Sequence, residues 1–338
     1  MFKKLFKGTV EFIKEEWLFL VAVCSISIIC CLPVNYYIVI GGGISDVGER
    51  IQVEDGYESS GSFNLSYVSE LKGTTLTYLL SYIMPGWERL GIDYYQYDEN
   101  EDFDDIRFRG DLDLKNANSL AVKTAYKLAN KKCDVISNKI YVIAKFSEYE
   151  SDLEIQDQIL EIDGRSFDTI DEYKEFLQSF EVGDEIEIKV LRNKKEKVIK
   201  NKLYDLDGRK ILGISLNYYY ELDVDPEVDI NFENGESGPS GGLMTTLEIY
   251  NQLTKKDISK DLVIAGTGTI EEDGSVGQIG GVKYKVIGAD DGDADVFLVP
   301  AGKNYDEAIK VKKDKKLDID IYGVSTVEEA IKILSNLD

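Results

Sequence analysis

Histidine is absent from all 338 residues. That absence removes every Ser-His-Asp and Cys-His mechanism and most zinc sites, so a hydrolase built on this chain must use another base. Cysteine is scarce: Cys24, Cys30 and Cys31 share one apolar run and Cys133 stands alone. No disulfide framework is available to the folded part, and Cys133 reads as a small buried apolar residue. Positive charge is in deficit, with 39 Lys and Arg against 63 Asp and Glu spread along the chain, a net charge of −24. A surface of that sign repels phosphate backbones and excludes nucleic acid as an expected partner. The G-x-x-x-x-G-K-[ST] phosphate loop is also missing, so no nucleotide is expected. What is present in quantity is apolar: 43% of the chain is hydrophobic, enough for two or three units that each have a core.

From Trp17 to Ser45 there is no charged residue, and Trp17 to Pro33 is almost wholly apolar. This predicts a transmembrane anchor over residues 17–40, with Pro33 near the end of the helix and Asn35 to Ile40 extending it through the interface. Lys3, Lys4, Lys7 and Lys14 precede the run, whereas only Arg50 is basic in the comparable stretch after it. Residues 1–16 are therefore expected to be a cytoplasmic tail, with the bulk of the chain exported beyond a single-pass cell membrane anchor. A cleaved signal peptide is the competing reading. It is disfavoured by the length of the run and by the lack of a small-x-small site before a polar mature start.

Beyond a hinge at Gly41-Gly42-Gly43, residues 41–134 mix a strand at Ser62 to Ser69 with a helix at Lys115 to Asn130, and Asp98 to Asp105 reads as a solvated acidic loop. Phe103 stands where a calcium loop would need glycine. Residues 135–204 form a second unit, with strands at Ile140 to Phe146, Gln158 to Ile162 and Glu185 to Leu191 and a helix at Thr169 to Phe180. DQILEIDGRSF followed by a helix and VGDEIEIKVLR resembles a PDZ domain of the bacterial protease type. The resemblance implies a peptide added as a strand between Ile140 to Phe146 and that helix, with Ile140, Tyr141, Val142 and Tyr173 as binding residues. A β-rich spacer that binds nothing is the alternative.

Residues 205–338 hold two glycine-rich stretches. In VDINFENGESGPSGGLMTTLEIY, Ser240 sits between a strand and a helix. A nucleophile can be exposed at such a junction, and the helix N-terminus favours developing negative charge. GPSGG alone is equally an ordinary turn and helix cap. In DLVIAGTGTIEEDGSVGQIGGVKYKVI, a strand and a hairpin lead to Gly280-Gly281 and a helix beginning near Lys283. GPSGG followed 43 residues after its serine by Lys283 of GGVKYK resembles the proteolytic domain of Lon. Lys285 and Lys313 read as surface lysines.

The family resemblance implies a Ser-Lys dyad: Ser240 as nucleophile, Lys283 as base, and Thr267 of AGTGTI beside the lysine amine. Gly238 and Gly241 would shape the turn, and Ser237 and Gly241 stand where many Lon sequences have an acidic residue and an alanine. An anchor, a PDZ-like unit and this domain together are similar to the ATP-independent, membrane-bound PDZ-Lon proteases of bacteria. The expected fold class is accordingly α+β: an N-terminal transmembrane helix, a PDZ-like β-rich domain at 135–204 and a Lon-type α/β proteolytic domain at 205–338. The expected activity is serine endopeptidase cleavage of a peptide or flexible protein substrate, with no cofactor, metal or nucleotide. A membrane-tethered peptide-binding scaffold with an inactive protease fold, or an acyl hydrolase using the same pair, are the other readings.

Overall fold

The computed structural model describes residues 14–167, 169–233 and 235–337; Lys3, Lys4 and Lys7 of the expected tail lie outside the described residues. In chain order the elements are α1 (Trp17–Cys31), β1 (Pro33–Asp46), β2 (Ile51–Val53), β3 (Ser62–Thr74), α2 (Thr75–Leu80), β4 (Glu88–Gly91), α3 (Phe103–Leu128), β5 (Lys132–Lys145) and β6 (Gln158–Ile162). There follow α4 (Ile170–Leu177), β7 (Glu185–Arg192), β8 (Lys195–Lys202), β9 (Tyr204–Leu206), β10 (Arg209–Ile211), β11 (Ile214–Asp225), β12 (Val228–Ile230) and α5 (Gly242–Leu253). The chain ends with β13 (Val263–Gly266), β14 (Thr269–Ile270), β15 (Val276–Gly277), α6 (Val282–Asp291), β16 (Val296–Pro300), α7 (Lys303–Lys315), β17 (Asp320–Val324) and α8 (Val327–Asn336).

The described residues divide into two compact units: one up to residue 41 together with 69–94, the other 42–68 with the residues from 95 onward. In the first, α1 has 15 residues and buries none of them. At 1.5 Å per residue it is about 22 Å long, short of the ~30 Å of a bilayer core. Among the described residues no helix is long and apolar enough to cross a membrane. The expected helical anchor over 17–40 is thereby corrected. Leu32 turns extended and Pro33, which lacks an N–H, closes the helix. The β-branched and aromatic run Val34 to Ile40 then enters β1, where Tyr36 to Val39 pair antiparallel with Gly91 to Glu88 of β4.

In the second unit the strand order β17-β16-β13-β3-β1 makes one sheet. β13 runs parallel to β3 (Ile264↔Phe63, Gly266↔Leu65) and to β16 (Ile264↔Val296). Both faces are covered, which is why Val296 to Pro300 is a continuous apolar run: all five residues of β16 are buried. One face packs Phe63, Ile264 and Leu298 against Leu120 of α3, Leu243 and Leu247 of α5 and Leu334 of α8. The other packs Ala265, Phe297 and Val299 against Val282, Val286 and Ala289 of α6 and Ala308 of α7. The expected glycine hinge is part of β1. A Cβ on Gly288 of α6 would lie 2.6 Å from Gly43 N, so the glycines serve close packing of α6 on the strand.

A second sheet, ordered β11-β5-β6-β7-β8, closes over Val142, Ile162, Ile188 and, from α4, Tyr173 and Leu177. It does not stop at residue 204, because β11 is its edge. The acidic stretch expected as a loop is in part a helix start: Asp102 accepts from the amides of Asp104 and Asp105 and caps α3. Cys133 is half-buried against the main core.

Candidate active site

Ser240 is fixed by its backbone before its side chain. Its carbonyl accepts from the Gly268 amide at 2.8 Å and from Thr267 Oγ1 at 3.0 Å, which ties the turn to the end of β13. Gly238 adopts φ +84°, a left-handed conformation that glycine takes without strain. The amide of Gly238 donates to Gly110 O, inside α3, at 2.9 Å. On the other side of the turn Arg50, its side chain 10% exposed, pairs with Glu236 at 2.8 Å, and Glu236 also accepts from the Glu233 amide. Gly241 then opens α5 with helical φ and ψ. A Cβ there would meet Leu65 no closer than 3.7 Å, so the position has room for an alanine.

The amine that reaches Ser240 belongs to Lys285. Its Nζ lies 2.6 Å from Ser240 Oγ and 3.0 Å from Thr267 Oγ1, with Lys285 4% and Thr267 0% exposed. This corrects the assignment of Lys283 as the partner and of Lys285 as a surface lysine. Helix phase is the reason. On α6 the buried positions are Val282, Lys285, Val286, Gly288 and Ala289, which share one side of the helix through i, i+3 and i, i+4 spacings. Lys283 lies two residues from Lys285, on the opposite side, exposed, with its Nζ 5.0 Å from the Tyr284 ring centroid. The apolar spacing of 282, 286 and 289 was the available signal. Arg50, Glu236 and Gly110 carried no motif and were not anticipated.

The peptide groove expected on Ile140 to Phe146 is not there, since β5 is paired along both edges. Ile140 faces Tyr218 of β11 on one side and Ile159 of β6 on the other, and Tyr141 faces Asn217 and Gln158. Val142 faces Leu216, while its N–H and C=O are taken by Asp157 O and Gln156 N. Ile140, Val142 and Tyr173 are core residues, and Tyr141 stacks on Tyr219 with centroids 6.2 Å apart. The open edge is β11. Of its outward groups, Tyr218 O accepts from Asn116 Nδ2 at 2.9 Å and Tyr220 N donates to Ser119 Oγ at 3.3 Å, both residues of α3. By antiparallel alternation Leu216 presents its N–H and C=O on the same side, ahead of the stretch that α3 covers.

A hydroxyl at a helix start, met by a buried amine that also contacts a second hydroxyl, is an arrangement in which the amine, when neutral, can take the serine proton. Residues 220–336 match the Lon protease (S16) C-terminal proteolytic domain and residues 127–203 match a PDZ domain. The chain thus carries a Lon-type proteolytic domain preceded by a PDZ domain. Similar curated proteins are Lon protease of Desulfatibacillum aliphaticivorans, 27% identical over 44% of this chain and 19% of the relative, and Lon protease of Buchnera aphidicola subsp. Schizaphis graminum, 32% identical over 37% of this chain and 15% of the relative. The chain therefore spans less than a fifth of these relatives' length. Among solved structures, the PDZ domain of an SdrC-like protein from Listeria monocytogenes is 28% identical, with a TM-score of 0.23, and covers 25% of this chain and 92% of that one.

Proposed function

We propose that the chain is an ATP-independent serine endopeptidase in which Ser240 is the nucleophile and Lys285, in its neutral form, the base. The observation that carries this reading is the 2.6 Å approach of Lys285 Nζ to Ser240 Oγ. A neutral amine has two N–H groups and one lone pair. Thr267 Oγ1, whose own proton goes to Ser240 O, accepts one N–H, which supports aiming the lone pair at the Ser240 hydroxyl. Removal from water disfavours the ammonium form of a lysine, and Lys285 is nearly fully buried.

Ser240 Oγ attacks the scissile carbonyl while Lys285 takes its proton. The amides of Ser240 and Gly241, at the start of α5 where helical N–H groups lack intrahelical acceptors, face the developing oxyanion. Lys285 then passes the proton to the leaving amine as the C–N bond breaks; water, deprotonated by the same lysine, attacks the acyl carbon, the ester bond to Ser240 breaks, and the proton returns to Ser240 Oγ. The reaction draws on no metal or nucleotide.

Substrates are exported peptides or flexible protein segments, docked along β11 at Ile214 to Leu216. The apolar residues of α1 hold the chain at the cell membrane with the catalytic domain on the outer face, the bilayer thinning locally to the ~22 Å of this short helix. Support comes from the uncharged stretch Trp17 to Ser45, from the absence of any buried residue in α1, and from the lysines that precede it. Full-length protein in detergent, incubated without nucleotide with an internally quenched peptide library, tests the activity: cleavage that vanishes in Ser240→Ala supports it, and cleavage equal in both rejects it. Reporters after residue 50 reachable from outside intact cells, with reporters before residue 15 protected, test the orientation.

A further inference from the structure

Helix α3 touches both the open edge of the PDZ-type sheet and the nucleophile turn. Over its third to fifth turns Asp113 accepts from Asn217 Nδ2 at 2.6 Å, Asn116 donates to Tyr218 O at 2.9 Å and Ser119 accepts from Tyr220 N at 3.3 Å. One turn before Asp113, Gly110 O accepts from the Gly238 amide at 2.9 Å, two residues from Ser240. A glycine inside a 26-residue helix costs helix stability, and the reason for it here is contact: a Cβ on Gly110 would lie 3.3 Å from Ser237 Cβ. The helix between these contacts is stiffened by burial of Leu112, Ala117, Leu120 and Ala121.

We propose that α3 couples the peptide-docking edge to the nucleophile turn, with Gly110 as the positioning residue; this rests on the proteolytic reading above. The side chains of Asn116 and Ser119 occupy the positions that an added strand would need beside Tyr218 and Tyr220. A segment docked at Leu216 leaves them in place. One that continues to Tyr218 must displace them, which moves α3 and with it the carbonyl under Gly238. Productive docking is therefore limited to a short register, and a longer one lowers turnover without blocking the active site.

The test uses the full-length protein and a short quenched peptide that reaches only the active site. Gly110→Ala should lower kcat about 10-fold with KM within about 2-fold, and Ser237→Gly added to it, which removes the opposing Cβ, should restore most of the loss. Asn116→Ala, remote from Ser240, should lower kcat about 5-fold, again with little change in KM, and should raise hydrogen exchange over residues 236–243. Wild-type kcat in folded Asn116→Ala with unchanged exchange there overturns the coupling, as does a Gly110→Ala loss that Ser237→Gly leaves untouched. If the wild type cleaves no peptide, the proteolytic reading fails, while the exchange comparison still decides the coupling.

Discussion

Exchanging the two lysines of α6 discriminates the geometry from the motif. Lys285→Met keeps an unbranched stem of nearly the same length on the buried face but removes the amine that meets Ser240 Oγ at 2.6 Å and Thr267 Oγ1 at 3.0 Å. Loss of a positioned general base costs about 10²- to 10⁴-fold in rate, or roughly 3 to 5 kcal/mol of barrier at 1.36 kcal/mol per decade. Lys285→Arg should fall as far, because a guanidinium does not lose its proton in a protein. Lys283→Ala removes an exposed side chain and should keep kcat/KM within about 3-fold. The assay is kcat/KM on an internally quenched peptide across pH 6 to 9.5, with thermal melting to confirm folding. Wild-type activity should rise with pH as the amine deprotonates, and Lys285→Met should leave no such rise. A loss of 100-fold in Lys283→Ala beside near-normal Lys285→Met would refute the assignment.

Thr267→Val, nearly isosteric at a fully buried site, removes one acceptor of the lysine amine and one donor to Ser240 O; kcat should fall about 10- to 100-fold, and a change under 2-fold would count against its role. Gly241→Ala should raise stability by about 0.4 to 1 kcal/mol and keep activity, whereas Gly238→Ala, at φ +84°, should lose roughly 1 to 2 kcal/mol by thermal or denaturant melting. Burial pushes the Asp113 carboxyl up to about 6 from an ordinary value near 3.8. The folded state then binds this proton more tightly than the unfolded one, so this residue's contribution improves as pH falls from 7 through 6 toward 4. Asp113→Asn should accordingly stabilise at pH 7.5, by on the order of 2 kcal/mol, and flatten that part of the pH dependence. Deleting residues 1–31 should leave a better-folded product than deleting 1–42, because the longer cut removes the part of β1 that pairs with β4.

Regular elements whose burial matches their period were legible in sequence. The runs at Gln158 to Ile162 and Glu185 to Leu191 are β6 and β7; the 169–180 pattern is α4, capped by Thr169. Where one segment serves two environments, local pattern failed. Val34 to Ile40 continues the apolar character of α1, and only Pro33 and the β-branched and aromatic composition distinguish a strand from more helix. β11 was missed for another reason. Its partners lie far away in the chain, at Lys132 to Lys145, and its tyrosines and acidic residues give no clean alternation. Without β11 the outer edge of β5 looks open, so the groove was placed one strand too far in.

The active site shows how a motif can name the right neighbourhood and the wrong atom. GPSGG pointed to the turn that opens α5, where Ser240 sits, and the threonine of AGTGTI lies at the end of β13 with its hydroxyl on Ser240 O. For the lysine, proximity in sequence to Gly280-Gly281 says where α6 begins but not which way its side chains point. That follows from what the helix buries. With Val282, Val286 and Ala289 against the sheet, position 285 completes the same face and position 283 cannot join it without turning the helix by about half a revolution. An amine that activates a serine must leave water, so the buried face, and not the first lysine after the glycines, decides which one can serve. The same packing requires the glycines: a Cβ on Gly42 would lie 3.0 Å from Tyr284 O and one on Gly288 2.6 Å from Gly43 N, so their absence lets the helix that carries Lys285 settle close to β1.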